Sequence, residues 1–320
     1  MGHGKSGKKA SLKSTLQSQQ TRLKNKQKAA HAAEVTEQKG KQKQQRNSKK
    51  RPTIPFKPTD KILLIGEGNF SFARALLVDP PSSLEHLVPR NITATAYDSE
   101  EECYAKYPEA KEIVETLRDK GVETLFGIDA TKLEKIPTFK GKLWDRIVWN
   151  FPHSGKGITD QDRNILSHQI LISDFFRSAA KFLAIGPMPV ISAGHKRKRK
   201  ADDDDEDEED VKVSEDEMMF SDDETSTPAT GARGTVLITL RNVEPYVKWD
   251  VPRLAKNPPK GGVAGASPPR YTIFRSFVFQ RKLWKGYEHR MTKGERVNGQ
   301  GTTGQGGEDR TWEFCLRDQS

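Results

Sequence analysis

The chain has 320 residues, 33% of them hydrophobic, and its 54 Lys/Arg against 44 Asp/Glu give a formal net charge of +10. That length accommodates one domain of about 200 to 250 residues or two smaller ones, and the low hydrophobic share leaves much of the chain outside any core. Two cysteines, Cys103 and Cys315, exclude a disulfide framework and a cysteine zinc knuckle, so no metal site is expected and a reducing compartment is the economical inference. No apolar run approaches the roughly 20 residues that span a bilayer, and no signal-peptide core stands near the start.

Residues 1 to 51 carry 15 Lys/Arg against 2 Asp/Glu, a surplus of +13 that exceeds the charge of the whole chain. They lack aromatic residues and are rich in Gln and Ser, which predicts a disordered basic tail over 1–57. Such an arm either binds RNA phosphates with strong salt dependence or serves solubility and import. Met1-Gly-His-Gly-Lys-Ser6 fits the loose pattern for myristoylation of Gly2, which a chain of this kind meets by chance.

The run Ile62-Leu-Leu-Ile65 then reads as a strand buried on both faces. Gly66 and Gly68 follow, allowing a tight turn and a close approach to a ligand, and a helix from about Ser71 to Val78 points its amide-rich start to the same place. Glycine after a strand can also serve the turn alone. Three more segments read as strands ending in polar residues: 91–98 ending at Asp98, 122–129 ending at Asp129, and 144–153 ending in Asn150-Phe-Pro-His153. In an open parallel sheet, ligands bind at the carboxyl ends of strands, which puts Asp98 and Asp129 beside the glycine turn. A carboxylate at the second strand end can accept from ribose hydroxyls, and one at the third from an adenine amino group.

An NAD fingerprint fits less well, because Ser71 stands at its third glycine and Asp98 lies 30 positions past Gly68, where about 20 is expected. No Gly-Lys-Ser/Thr follows the turn, which excludes a phosphate-gripping ATPase loop. At the fourth strand end, Asn150-Phe151-Pro152-His153 forms a rigid turn. Asn150 can donate to a base carbonyl there, while His153 can act as a base or as a stacking surface.

Residues 159 to 184 space their apolar side chains as a helix that packs one face on the sheet. Lys196-Arg-Lys-Arg-Lys200 precedes nine consecutive acids, Asp202 to Asp210, with Ser214 and Ser221 in acidic surroundings. Blocks of like charge stay solvated, so 192–233 reads as a disordered insertion. It is either a nuclear import signal with acidophilic-kinase sites or an inert insertion with mutually neutralising blocks. Residues 188 to 191 either begin the fifth strand or lead into that insertion. Strands follow at 234–240, 271–279 and 310–316, with a short helix over 249–255. The stretch 281–293 interleaves cations with Trp284, Tyr287 and His289, so its aromatics either stack on RNA bases or cover the sheet edge.

Five motifs in order, Gly66-Glu-Gly-Asn-Phe-Ser-Phe72, Ala96-Tyr-Asp-Ser99, Asp129-Ala-Thr131, Asn150-Phe-Pro-His-Ser-Gly155 and Gly286-Tyr-x-His289-x-x-Thr292, resemble those of the fungal large-subunit rRNA uridine-N3 methyltransferases. The domain, over 58–318, is also similar to the front half of animal proteins with a ferredoxin-fold anticodon-binding domain. The resemblance implies an α/β, Rossmann-like class I methyltransferase with a mostly parallel seven-stranded sheet, helices on both faces and an antiparallel last strand. It implies S-adenosylmethionine as cofactor at Gly66, Glu67, Gly68, Asn69, Phe70, Asp98 and Asp129, and substrate chemistry at Asn150, Pro152 and His153. It further implies RNA contacts by Trp284, Tyr287, His289, Arg290 and Thr292, large-subunit rRNA or pre-ribosomal particles as partner, and a nuclear, nucleolar protein; a monomer is expected, with the cation run Lys196–Lys200 meeting an import receptor. Amino-group methyltransferases of this class place Asn/Asp-Pro-Pro-Tyr/Phe at the fourth strand end; Phe151 and His153 depart from that pattern and from an adenine target. The competing function is a non-catalytic RNA-binding assembly factor on the same fold.

Overall fold

The computed structural model describes residues 52–189, 231–259, 268–290 and 307–318. The basic arm to residue 51, Lys196–Lys200, the acidic run, Ser214, Ser221 and Thr292 lie outside the described residues. Seven strands form one sheet: β1 (Ile62–Ile65), β2 (Ile92–Thr95), β3 (Glu123–Leu125), β4 (Arg146–Asn150), β5 (Thr235–Arg241), β6 (Tyr271–Val278) and β7 (Asp309–Leu316). Their spatial order is β3-β2-β1-β4-β5-β7-β6. The first five pair in parallel, and β7 inserts antiparallel between β5 and β6. The α/β fold with an antiparallel final strand is therefore as the sequence implied.

Alternation along the strands builds two cores. Ile62, Leu64, Val148 and Leu237 face one side, under α1 (Ser71–Ala75) and α3 (Ala110–Asp119). Leu63, Ile65, Ile147, Trp149, Val236 and Ile238 face the other, under α4 (Gln161–Ala179) and α5 (Val251–Lys256). The remaining helix, α2 (Glu100–Lys106), begins with a capping box in which Ser99 and Glu102 satisfy each other's backbone amides. Chain order runs outward from β1 to β3 and then back across to β4. The switch point thus lies between β1 and β4, where Ile65 pairs with Trp149, and it sets Gly66 and Asn150 side by side.

Several boundaries differ from expectation, each for a local reason. The third strand keeps three residues, because Gly127, at φ +70°, turns the chain so that its amide donates to Asp98 O and that of Ile128 to Ala96 O. The helix expected over 159–184 ends at Ala179, and Leu183 instead bridges in parallel to Trp144. Helix α1 stops after five residues. Residues 188 and 189 are not strand. The folded unit begins at Pro52, ahead of the tail boundary expected at 57: Phe56 is buried against Phe72 and Trp284, and Pro55 O accepts from Arg146 Nε. The insertion leaves and returns at one place, since Arg233 N donates to Pro187 O and Gly234 N to Ala184 O. Among the described residues no helix is long and apolar enough to cross a membrane.

Candidate active site

Gly66 is the residue that makes the glycine turn. Its φ is +63°, and a Cβ there would sit 2.9 Å from Trp149 Nε1, so both the backbone and the neighbouring strand demand glycine. Gly68 differs: its φ is not left-handed, and a Cβ would meet Tyr107 at an ordinary 3.5 Å. Any demand for glycine at 68 therefore comes from what lies outside the chain. Beyond the turn, Glu67 Oε2 accepts the Ala73 amide at 3.1 Å, tying the carboxyl to α1. Burial raises its pKa to about 8, against the opposing effect of that hydrogen bond. Asn69, 3% exposed, uses both ends of its amide, accepting from Ser71 N and donating to Glu109. Phe70 is fully buried at φ +61° and packs edge-on against Phe126. The side chains of Asn69 and Phe70 thus hold the turn through contacts within the protein.

Asp98 stands just past β2 with Oδ1 paired to Lys106 Nζ at 2.6 Å. Next to it Tyr97, within the same motif but assigned no role from the sequence, is 72% exposed. Asp129 caps the turn after β3. Its Oδ1 accepts from the Thr131 amide and hydroxyl, and its Oδ2 meets Lys132 Nζ at 2.9 Å. Partial burial works against ionisation of Asp129, but the hydrogen bonds from Thr131 and Lys132 prevail and lower its pKa. A ligand at Asp129 would share oxygens already engaged.

At the end of β4 the Asn150 Oδ1 is buried and has no hydrogen-bond partner. A native protein rarely leaves such an acceptor unmatched, since the loss is about 1 to 3 kcal/mol. Asn150 also lines a narrow cleft with Phe72, Phe279, Trp284, Thr239 and Thr311, with room for about one water. Phe151 follows at φ +53°, held by its amide to Thr239 O at 2.8 Å and by its ring against His289 at 4.3 Å. Pro152 is buried and His153 exposed. His153 Nδ1 accepts the Gly155 amide at 2.9 Å, so the neutral ring carries its proton on Nε2.

The segment 281–290 closes the group, and it faces the protein. Trp284 is 3% exposed and packs on Phe72, as does Tyr287. Glu288 exchanges both backbone groups with Ser71 Oγ, at 3.1 and 3.0 Å. Arg290 pairs with Glu109 and Glu288. Burial and then the nearby Arg281 and Arg241 lower the His289 pKa to about 4, so its ring is neutral. The alternative in which the aromatics cover the sheet edge describes how Trp284 and Tyr287 pack. Exposed instead are Lys282, Lys285 and, from α1, Arg74, whose Nη1 lies near Gly286.

Comparison with known proteins extends these motifs to the whole domain. The profile of the BMT5-like family, described as rRNA (uridine-N3-)-methyltransferase BTM5-like, matches residues 63–291. The chain is 30% identical over 271 residues to the 25S rRNA (uridine(2634)-N(3))-methyltransferase of Saccharomyces cerevisiae, covering 76% of this chain and 69% of that one. It is 33% identical over 144 residues to heavy metal-associated isoprenylated plant protein 41 of Arabidopsis thaliana, covering 45% of this chain and 26% of the plant protein. Ferredoxin-fold anticodon-binding domain-containing protein 1 of Homo sapiens is 34% identical over 124 residues, 39% of this chain and 18% of its own. Matched over most of its length by that profile and by the yeast enzyme, the chain belongs to the BMT5-like family of rRNA (uridine-N3-)-methyltransferases.

Proposed function

We propose that this chain transfers a methyl group from S-adenosylmethionine to N3 of a uridine in large-subunit rRNA, with Asn150 reading the base. The observation that carries the reading is the place of Asn150 at the end of β4, beside the glycine turn at the β1–β4 switch point. Uridine N3 is flanked by two carbonyl acceptors, so the Asn150 amide can donate to one of them and leave the N3 edge open to the methyl group. The base has to leave any helix to reach this position. His153, exposed at the end of the turn, would offer its ring face to the base. The carbonyl that Asn150 holds bears more charge as N3 loses its proton, which water then takes up.

The residues fit S-adenosylmethionine, which supplies an electrophilic methyl group when bound. Gly68 presents no side chain to hinder a close ligand, Asp98 keeps Oδ2 beyond its pair with Lys106, and a Cβ at Gly127 would meet nothing within 4 Å. Asp98 would accept from ribose hydroxyls, and the amides of the glycine turn would meet the rest of the group. RNA phosphates would run along Arg74, Lys282 and Lys285, with the basic arm adding charge. Lys196–Lys200 would recruit an import receptor and bring the protein, as a monomer, to the nucleolus. Nothing among the described residues favours the non-catalytic alternative.

The deciding experiment is Asn150→Ala. S-adenosylmethionine affinity by calorimetry should stay within about twofold, while single-turnover methyl transfer to an rRNA fragment falls about 10²-fold. Undiminished transfer, or equal loss of cofactor affinity, would remove Asn150 from the substrate side. Nucleoside mass spectrometry of rRNA from a deletion strain identifies the nucleotide.

A further inference from the structure

Two consecutive amides just past the Asn150 turn end on imidazole nitrogens. Ser154 N–H donates to His168 Nε2 at 3.2 Å, and Gly155 N–H to His153 Nδ1 at 2.9 Å. His168 belongs to α4 and is fully buried, with its ring 8° from parallel to Trp249 and centroids 4.0 Å apart. Its Nδ1 faces Asn164 O at 2.8 Å. A carbonyl only accepts, so Nδ1 carries the proton, and the neutral ring is left with a lone pair at Nε2, as the Ser154 amide requires. Burial favours the same neutral form and lowers the His168 pKa, although the Asn164 carbonyl acts the other way.

We infer that His168 is a positioning residue of the active site: it fixes the downstream end of the Asn150–His153 turn, as Thr239 O of β5 fixes the upstream end through the Phe151 amide. Between these anchors Phe151 is held at φ +53°, a conformation that costs about 1 to 3 kcal/mol and persists only where its surroundings impose it. Without an acceptor for Ser154, the turn relaxes toward an unstrained Phe151 and carries the Asn150 amide and the His153 ring out of register. A displacement of about 1 Å at a reacting centre can cost 10²-fold in rate. The inference rests on the proposed placement of the substrate base at Asn150.

The test compares His168→Phe, which keeps a flat ring against Trp249 and removes both polar contacts, with His168→Gln, whose amide oxygen can take the place of Nε2. In the full-length protein, His168→Phe should lower kcat about 10- to 100-fold, with the RNA KM and S-adenosylmethionine Kd within about twofold of wild type. His168→Gln should be about tenfold faster than His168→Phe. A folded His168→Phe protein with wild-type kcat overturns the inference, as does a His168→Gln protein no faster than it. Nitrogen-15 NMR of histidine-labelled wild-type protein tests the same arrangement with no variant: His168 should be neutral with its proton on Nδ1. A proton on Nε2, or a charged ring at neutral pH, overturns the inference even if the variants fail to fold. Failure of the functional reading would look different, because wild-type protein would then leave uridine N3 unmethylated while the NMR signature stood.

Discussion

Gly66 and Gly68 sit two residues apart in one motif and are constrained by different things. Left-handed backbone and the closeness of Trp149 make Gly66 a folding residue, so Gly66→Ala should cost about 1 to 3 kcal/mol in a denaturant melt. Gly68→Ala, in ordinary contact with Tyr107, should be closer to neutral in the same melt, and Gly68→Val should abolish S-adenosylmethionine binding in a folded protein. Equal stability losses at the two positions would refute this division. Glu67 between them carries a pH signature. Its folded pKa, about 8, lies above its unfolded value, so its contribution is fully present below about pH 4.5 and is lost as pH rises through 8. Glu67→Gln keeps an acceptor for the Ala73 amide and removes the ionisation. It should therefore raise Tm more at pH 8 than at pH 5, and a Tm difference independent of pH would show that the carboxyl is not enclosed.

Among the elements, β7 is positioned by a buried charge as well as by its ladder. Glu313 is fully buried at its centre, accepting from Thr235 of β5 at 2.7 Å and from Arg275 of β6 at 2.6 Å. Arg146 of β4, itself 3% exposed, lies 3.9 Å away and also meets Asp60 at 3.3 Å. A one-residue slip of β7 would turn Glu313 to the opposite face, leave Arg275 without its carboxylate and leave Arg146 with Asp60 alone, so the network specifies register. Removing one partner of a buried pair costs about 3 to 5 kcal/mol, and Glu313→Ala should lower stability by that amount in urea unfolding. A loss below about 1 kcal/mol would mean that water already screens the site. The 281–290 segment works as an element too: its aromatics bind it to α1 and leave its lysines outside.

For the whole molecule, the sheet order decides where chemistry is possible and where chain can be added. Residues 187 and 233 are joined by a backbone hydrogen bond, so the charged insertion is a loop whose ends are already closed. Replacing 190–230 with about five Gly/Ser residues removes some three doublings of loop length, worth up to about 2 kcal/mol of added stability at about 0.6 each. The variant should melt no lower than wild type and keep S-adenosylmethionine affinity, while losing nuclear accumulation if Lys196–Lys200 is the import signal. A lower melting temperature would show that the insertion packs on the domain. Deleting residues 1–51 should leave cofactor affinity intact and flatten the dependence of log RNA affinity on log salt, and equal slopes would show that the arm does not touch RNA.

Periodicity and turn chemistry are local properties, and they were enough to mark the buried strands, the glycine turn, the strand-end carboxylates and the Asn150-Phe-Pro-His153 turn. The family followed from motif order, since five spaced motifs rarely coincide by chance. What the chain could not reveal locally was which partner each side chain meets across the fold. Asn69 is fixed by Glu109 forty positions away, Trp284 by Phe56 and Phe72, and Arg290 by Glu109, so residues that read as ligand or RNA contacts are drawn inward. The three-residue β3 is likewise set by Gly127 folding back onto β2. His168 gave no signal at all as one histidine on an apolar helix face. Only the packing of α4 against the end of β4 brings its Nε2 to Ser154, because a hydrogen bond between distant segments is specified by tertiary geometry and by no spacing in the chain.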